Sequence, residues 1–205
     1  MLDFIDREVI PFVLSMYDAV GYVGVAVAVA LETIVAPIPS EVILPMAGWK
    51  VSQSAADPSI VEPLTNLPWN IPLAVLLATV GSVVGALVGY AIGAWGGRPI
   101  LDRYGRYVGI GSEDLDRADR WFDRWGSWAV FFGRMVPLVR TFVSYPAGIS
   151  RMPMGRFLLF STLGSLPWNL ALIVAGFVVG ENYEAISAAM NRSPRPTSST
   201  KSCVR

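Results

Sequence analysis

Four charged residues stand in two short apolar stretches broken by prolines. The acidic stretch is Glu32-Thr-Ile-Val-Ala-Pro37-Ile-Pro39-Ser40-Glu41, set between the apolar runs Val20 to Leu31 and Val42 to Trp49. The basic stretch is Arg134-Met-Val-Pro137-Leu-Val-Arg140, between Trp128 to Phe132 and Thr141 to Ile149. A charge near a bilayer centre costs roughly 2.5 to 3.5 kcal/mol on insertion scales, so four would cost on the order of 10 kcal/mol unless paired or wetted. Residues kept at that cost mark a transport pathway or a binding site, and each cluster is a candidate partner for the other. Arginine stays protonated and offers a planar fork that matches a phosphate or carboxylate, so Arg134 and Arg140 suit an anionic headgroup. The competing reading makes both arginines interfacial anchors that snorkel to water; for Arg151 and Arg156 that reading is the better one. Glu32 and Glu41 can change charge, and an arginine nearby ties their proton occupancy to whatever else the arginine binds, which makes them candidate proton carriers. The competing reading is a static ion pair that fixes two hairpins. Ser40 could support either state through its hydroxyl.

These groups must be positioned by a membrane fold. Of the 205 residues 53% are hydrophobic, and the mean hydropathy of +0.49 exceeds what a soluble domain shows. The formal net charge is zero and acids interrupt the basic residues, so there is no footprint for nucleic acid. A single cysteine, Cys203, excludes a disulfide framework and a cysteine metal site. The chain has no histidine, which removes histidine-dependent phosphatases, Ser-His proteases and HExxH zinc proteases. No metal, no cofactor and no enzyme activity is expected. Met1 to Glu8 is mixed in charge and the apolar run after it meets Asp18, so no cleavable signal peptide is expected.

Only residues 71 to 95 and 157 to 180 read as long and clean enough to span a bilayer core, which needs about 20 apolar residues. Val42 to Trp49 falls short, as does each half of the 128 to 149 segment. Pro37, Pro39, Pro137 and Pro146 disfavour continuous helix, so residues 20 to 49 and 127 to 149 read as re-entrant hairpins, with Gly148 a further residue that shapes the second. Backbone of that kind must be buried in protein or line a cavity. The order is then hairpin, span, hairpin, span, with polar connectors at 50 to 70 and 97 to 126. Each unit has one crossing, so the second is inverted and the two charged tips meet near the midplane, the pattern of secondary transporters. The two Leu-Pro-Trp-Asn tetrapeptides, at 67 to 70 and 166 to 169, do not fall at equivalent places and read as coincidence.

Gly81, Gly85, Gly89 and Gly93 share one face of the first span, where another backbone can pack closely; helix packing is favoured over dimerisation, and homo-oligomerisation stays open. Gly176 and Gly180 give a shorter version in the second span. Trp49, Trp69, Trp95, Trp121, Trp125 and Trp128 sit at the ends of apolar segments, as an aromatic belt does. Residues 113 to 125 place Leu115, Ala118, Phe122 and Trp125 on one face, which reads as an interfacial amphipathic helix. The arginines of 97 to 126 favour the cytoplasm for that connector, while the basic tail pulls the other way. The expectation is an all-α integral membrane protein, one domain over 1 to 190, with a polar, disordered tail from 191 to 205.

These residues resemble the DedA family, also described through its SNARE-associated or VTT membrane domain, over about residues 20 to 180. The motifs that carry the likeness are Glu32 through Pro37-Ile-Pro39-Ser40-Glu41, then Gly81 to Gly93 with Tyr90, and above all Phe132-Gly133-Arg134-Met-Val-Pro137-Leu-Val-Arg140-Thr141 with Ala147-Gly148. The resemblance places the family's acidic pair on Glu32 and Glu41 and its arginine pair on Arg134 and Arg140. It implies a multi-pass bacterial inner-membrane transporter that moves undecaprenyl phosphate or another phospholipid between leaflets and depends on protons. Many relatives carry an aspartate where this chain has Ala86, and often a further apolar helix after the position of Gly180. The expected partners are membrane lipids, a lipid-phosphate substrate and protons. The alternatives are an energy-independent phospholipid scramblase and a non-transporting membrane scaffold or assembly factor.

Overall fold

The computed structural model describes residues 10–35, 40–104, 120, 124–137 and 139–183. Pro37 and Pro39 and the tail from 191 lie outside the described residues, and so does most of the expected interfacial helix over 113 to 125. Seven helices follow in order: α1 Ile10–Val35, α2 Ser40–Ala56, α3 Ile71–Tyr104, α4 Ser127–Met135, α5 Val139–Phe142, α6 Ser144–Ile149 and α7 Met154–Glu181. Among the described residues there is no strand, only an isolated bridge between Val61 and Pro68. The fold is all-α.

Three helices are long and apolar enough to cross a membrane, Ile10–Ile34, Ile71–Gly96 and Met154–Glu181, one more than the sequence reading allows. The added one is α1. Asp18 does not interrupt it, because its carboxylate lies at the surface and pairs with Lys50 at 2.6 Å. The helix is nonetheless broken at Gly21, where φ is 57° and ψ is −132°, a backbone open to glycine and costly for other residues. Residues 22–35 thus form a separate helical limb. A second glycine, Gly126, has nearly the same backbone, φ 53° and ψ −130°, immediately before α4.

The connector pins the break in α1. At a helix restart the first N–H groups lack intrahelical acceptors, and here the Tyr22 N–H donates to Glu62 Oε1 at 3.3 Å. The other carboxylate oxygen of Glu62 accepts from the Leu64 N–H at 3.1 Å, the Thr65 N–H at 2.6 Å and the Thr65 hydroxyl at 2.7 Å. Tyr22 stacks on Trp69, ring centroids 4.6 Å apart, and its hydroxyl accepts from the Asn70 N–H at 2.6 Å. Asn70 in turn caps α3, its side-chain oxygen accepting from the Leu73 N–H at 2.9 Å. Burial pushes the Glu62 carboxyl up, but the donors around it outweigh burial and hold it below the usual range. A depressed carboxyl stabilises the fold above its unfolded value and loses that contribution as pH falls through the folded value. Glu62→Gln is therefore expected to lower stability by about 2 kcal/mol at neutral pH. The deficit should shrink below about pH 4, which thermal unfolding in detergent across pH would read.

Helix bounds depart from the sequence reading in three places, one being that α3 runs on to Tyr104, into the connector expected from 97. The polar connector from 50 begins inside α2, which runs to Ala56 because Ser52 and Ser54 bury their hydroxyls on the carbonyls of Trp49 and Ile60. Pro146 lies inside α6, in its first turn, where its missing N–H forfeits no helical bond; Pro137 sits in the break between α4 and α5.

The long helices are turned inside out relative to a soluble bundle. Leu76, Val80, Val84, Val88 and Ile92 of α3, and Leu159, Leu163, Leu166 and Leu170 of α7, are exposed, which is the stripe that lipid covers. Glycines occupy the inner faces. Along α3, a side chain at Gly81 or Gly85 would meet Ala26 or Ala30 and Thr33 of α1, and one at Gly89 or Gly93 would meet Ser144 or Tyr145 of α6. Along α7, Gly164 faces Phe131 and Arg134 of α4, while Gly176 and Gly180 face Pro45 and Ser52 of α2. Thus α3 packs on residues 22–35 of α1 along its first half and on α6 along its second, while α7 packs on α4 along its first half and on α2 along its second. Tyr90 stacks on Phe157 and Asn169 bonds to Thr79 and Ser82, so α3 and α7 run antiparallel.

Candidate functional site

Glu32 sits in the last turn of α1 and Ser40 opens α2. Arg134 ends α4, Arg140 lies in the single turn of α5, and Ser144 begins α6. The ends of α1 and α4 and the starts of α2 and α6 converge here. Glu32, Ser40, Arg134, Arg140, Thr141 and Ser144 are all buried. Arg140 reaches across to the acidic stretch, its Nη1 donating to Ser40 Oγ at 3.0 Å and its Nη2 lying 3.7 Å from Glu32 Oε2. That second distance is a contact between charges rather than a hydrogen bond, and among the described residues Nη2 has no hydrogen-bond partner. Arg134 is 1% exposed. Its Nη2 donates to Ser144 Oγ at 2.8 Å, while Nε and Nη1 are without a partner among the described residues.

The acidic and basic stretches therefore meet, through Glu32, Ser40 and Arg140. Glu41 does not join them directly: it is exposed in the first turn of α2, and among the described residues it makes no ion pair or side-chain hydrogen bond. Gly148 lies against the backbone of Tyr90 and Ala94, where it seats α6 on α3. Three buried guanidinium nitrogens with unmet N–H groups form a concentrated demand for acceptor oxygens, and each unmet buried group costs about 1–3 kcal/mol or more when charged. A phosphate or carboxylate would meet that demand. Among the described residues no group of three His, Cys, Asp or Glu could hold a metal ion.

Sequence reasoning missed three participants. Ser144 holds Arg134, and Thr33 sets its hydroxyl 3.4 Å from Glu32 Oε2 while donating to the Val29 carbonyl; neither has a signal beyond lying near a charge. Asn169 is fully buried in α7, and its amide N–H2 donates to Thr79 Oγ1 at 3.2 Å and Ser82 Oγ at 3.3 Å. An amide in an apolar span was its signal.

The family model for the VTT domain matches residues 38–178. Undecaprenyl phosphate transporter A of Bacillus subtilis (strain 168) is 30% identical over 174 residues, 85% of this chain and 79% of that protein. The protein of the same name from Staphylococcus aureus (strain NCTC 8325 / PS 47) is 29% identical over 85% of this chain and 82% of its own length. An alkaline phosphatase-like protein of Lactococcus lactis subsp. cremoris (strain MG1363) is 34% identical over 87% of this chain and 80% of its own. No solved structure matches.

Proposed function

This chain belongs to the VTT-domain (DedA) family and is a multi-pass protein of the bacterial inner membrane; on that premise we propose that it carries a lipid phosphate, specifically a polyprenyl phosphate, between the leaflets in a proton-coupled cycle. Arg134 and Arg140 receive the phosphate, and Glu32 and Glu41 exchange protons. The observation that carries this reading is the buried Arg140 and Glu32 pair, held at 3.7 Å with Nη2 and two nitrogens of Arg134 unmet. A loose pair can be opened by a competing anion. When phosphate takes Arg140, Glu32 loses its countercharge and takes a proton, so substrate and proton binding are linked. Two relatives bearing the name undecaprenyl phosphate transporter A support the choice of a polyprenyl tail.

The same reading makes the fold one domain of two inverted units, each a re-entrant hairpin followed by a span. Limb lengths support it. Residues 22–35 cover about 21 Å, α2 about 26 Å and α4 about 14 Å at 1.5 Å per residue, each less than the roughly 30 Å core. The near-identical glycine turns before the two entering limbs, the exchange of limbs between the long helices and the antiparallel run of α3 and α7 support inversion.

Reconstitution in liposomes tests the function. Labelled polyprenyl phosphate should cross between leaflets faster than labelled phosphatidylglycerol, and a proton gradient should change its rate. Equal, gradient-independent rates for both lipids would favour scrambling. A folded protein that moves neither lipid would end the lipid-carrier reading.

A further inference from the structure

Ser161, Ser165 and Asn169 recur every four residues along α7 and so lie on one helix face, and all three are fully buried. Serines and threonines in membrane helices ordinarily satisfy themselves on the carbonyl four residues back. Thr33, Thr79 and Thr162 do so, with distances of 2.8, 2.7 and 2.8 Å. The hydroxyls of Ser161 and Ser165 do not, and among the described residues neither they nor the Asn169 side-chain oxygen has any partner. The opposite wall is α3, where Ser82 and Thr79 accept from Asn169. This polar seam touches the charged site on two sides. Gly85, three residues beyond Ser82, packs on Thr33 beside Glu32, and Gly164, next to Ser165, packs on Arg134.

Apolar clusters close the seam along the helix axis. Tyr90 and Phe157 lie at one end, and Ala74, Val75, Ala78 and Ile173 at the other. We propose that the face of α7 bearing Ser161, Ser165 and Asn169 encloses with α3 a hydrated chamber, an internal water site continuous with the charged pair. Water is the ligand that both donates to and accepts from hydroxyls and amides, and buried waters occur where two to four such groups converge. The charged and titratable groups beside the chamber are Glu32 from α1, Arg134 from α4 and Arg140 from α5, with Glu41 of α2 exposed beyond them. On the proton-coupled reading above, on which this second role rests, the chamber is where the Glu32 proton moves. Its closed ends matter, because a continuous file of water would leak protons across the membrane whereas a sealed chamber would not.

Infrared spectroscopy of the S–H stretch tests the water directly and needs no transport. In a Cys203→Ser background, which leaves no other thiol, Ser165→Cys should exchange to S–D in deuterated buffer at least ten-fold faster than Ile173→Cys, one turn beyond Asn169 in the apolar cluster. Equally slow exchange at both positions overturns the chamber. The proton role is read separately in liposomes. Ser161→Ala with Ser165→Ala, and Asn169→Leu alone, should bring the ratio of exchange rates with and without a proton gradient toward one, and an unchanged ratio overturns that role. If the wild type moves no lipid, the transport reading falls and the thiol exchange still decides whether the chamber holds water.

Discussion

Arg134→Met is expected to cut lipid-phosphate exchange by 100-fold or more while leaving the protein at least as stable as the wild type. The two halves of that result come from one fact. Arg134 is fully buried, and among the described residues it has one side-chain hydrogen bond, to Ser144, and no carboxylate partner. A charge taken out of water without a partner is a net cost to folding, and replacing it with an apolar side chain of similar volume is often neutral or stabilising. The loss of function follows from the two unmet nitrogens. Hydrogen bonds to charged groups are worth roughly 1.5–3 kcal/mol each, so two lost phosphate bonds amount to about 100-fold to 10,000-fold in binding. Arg134→Lys should recover part of it, since an ammonium supplies the charge but not the fork. Thermal unfolding in detergent, run beside the liposome assay, separates this from an anchoring role. An Arg134→Met protein that unfolds well below the wild type and still moves lipid would refute the assignment.

The charged residues were legible because charge in apolar sequence has no cheap structural explanation. Glu32, Arg134 and Arg140 could be picked out by type alone, and the meeting of the two stretches followed from asking what each could pair with. Glu41 shows where that logic stops. It carries the same charge and flanks the same prolines, but it is exposed in the first turn of α2, and a count of charges cannot say which side of a helix a residue takes.

The break in α1 was harder to see for a related reason. Asp18 looked like an interruption because it is charged, but the actual interruption is Gly21, which is apolar and invisible to hydropathy. The acceptor for the Tyr22 N–H that follows it, Glu62, lies 40 positions away in a connector that reads as plain polar loop. Asn169 was passed over as part of a repeated tetrapeptide. The two copies have unrelated tasks: Asn70 caps α3 at the surface, and Asn169 bridges α3 and α7 in the interior. Local sequence is the same in both, so only long-range packing distinguishes them.

Glu32 and Arg140 should respond unequally to the loss of their partner. Glu32→Gln leaves Arg140 buried with no countercharge in contact, and breaking a buried pair in this way costs about 3–5 kcal/mol. Arg140→Gln leaves a carboxylate, which a proton can neutralise, whereas a guanidinium has no comparable escape. Arg140→Gln should therefore be the milder change, and milder still in acidic buffer, while Glu32→Gln stays damaging at every pH. Joining the two substitutions removes both charges and should return most of the stability lost in Glu32→Gln alone, a coupling that the four proteins measure as a cycle. Function is expected to follow a different order. Arg140→Gln and the double variant lose a phosphate ligand and fall with Arg134→Met, whereas any exchange surviving in Glu32→Gln should no longer respond to a proton gradient. Equal destabilisation by the two single changes in acidic buffer would mean that the pair is a fixed strut. In that case Glu32 would not be the group that trades its partner for a proton.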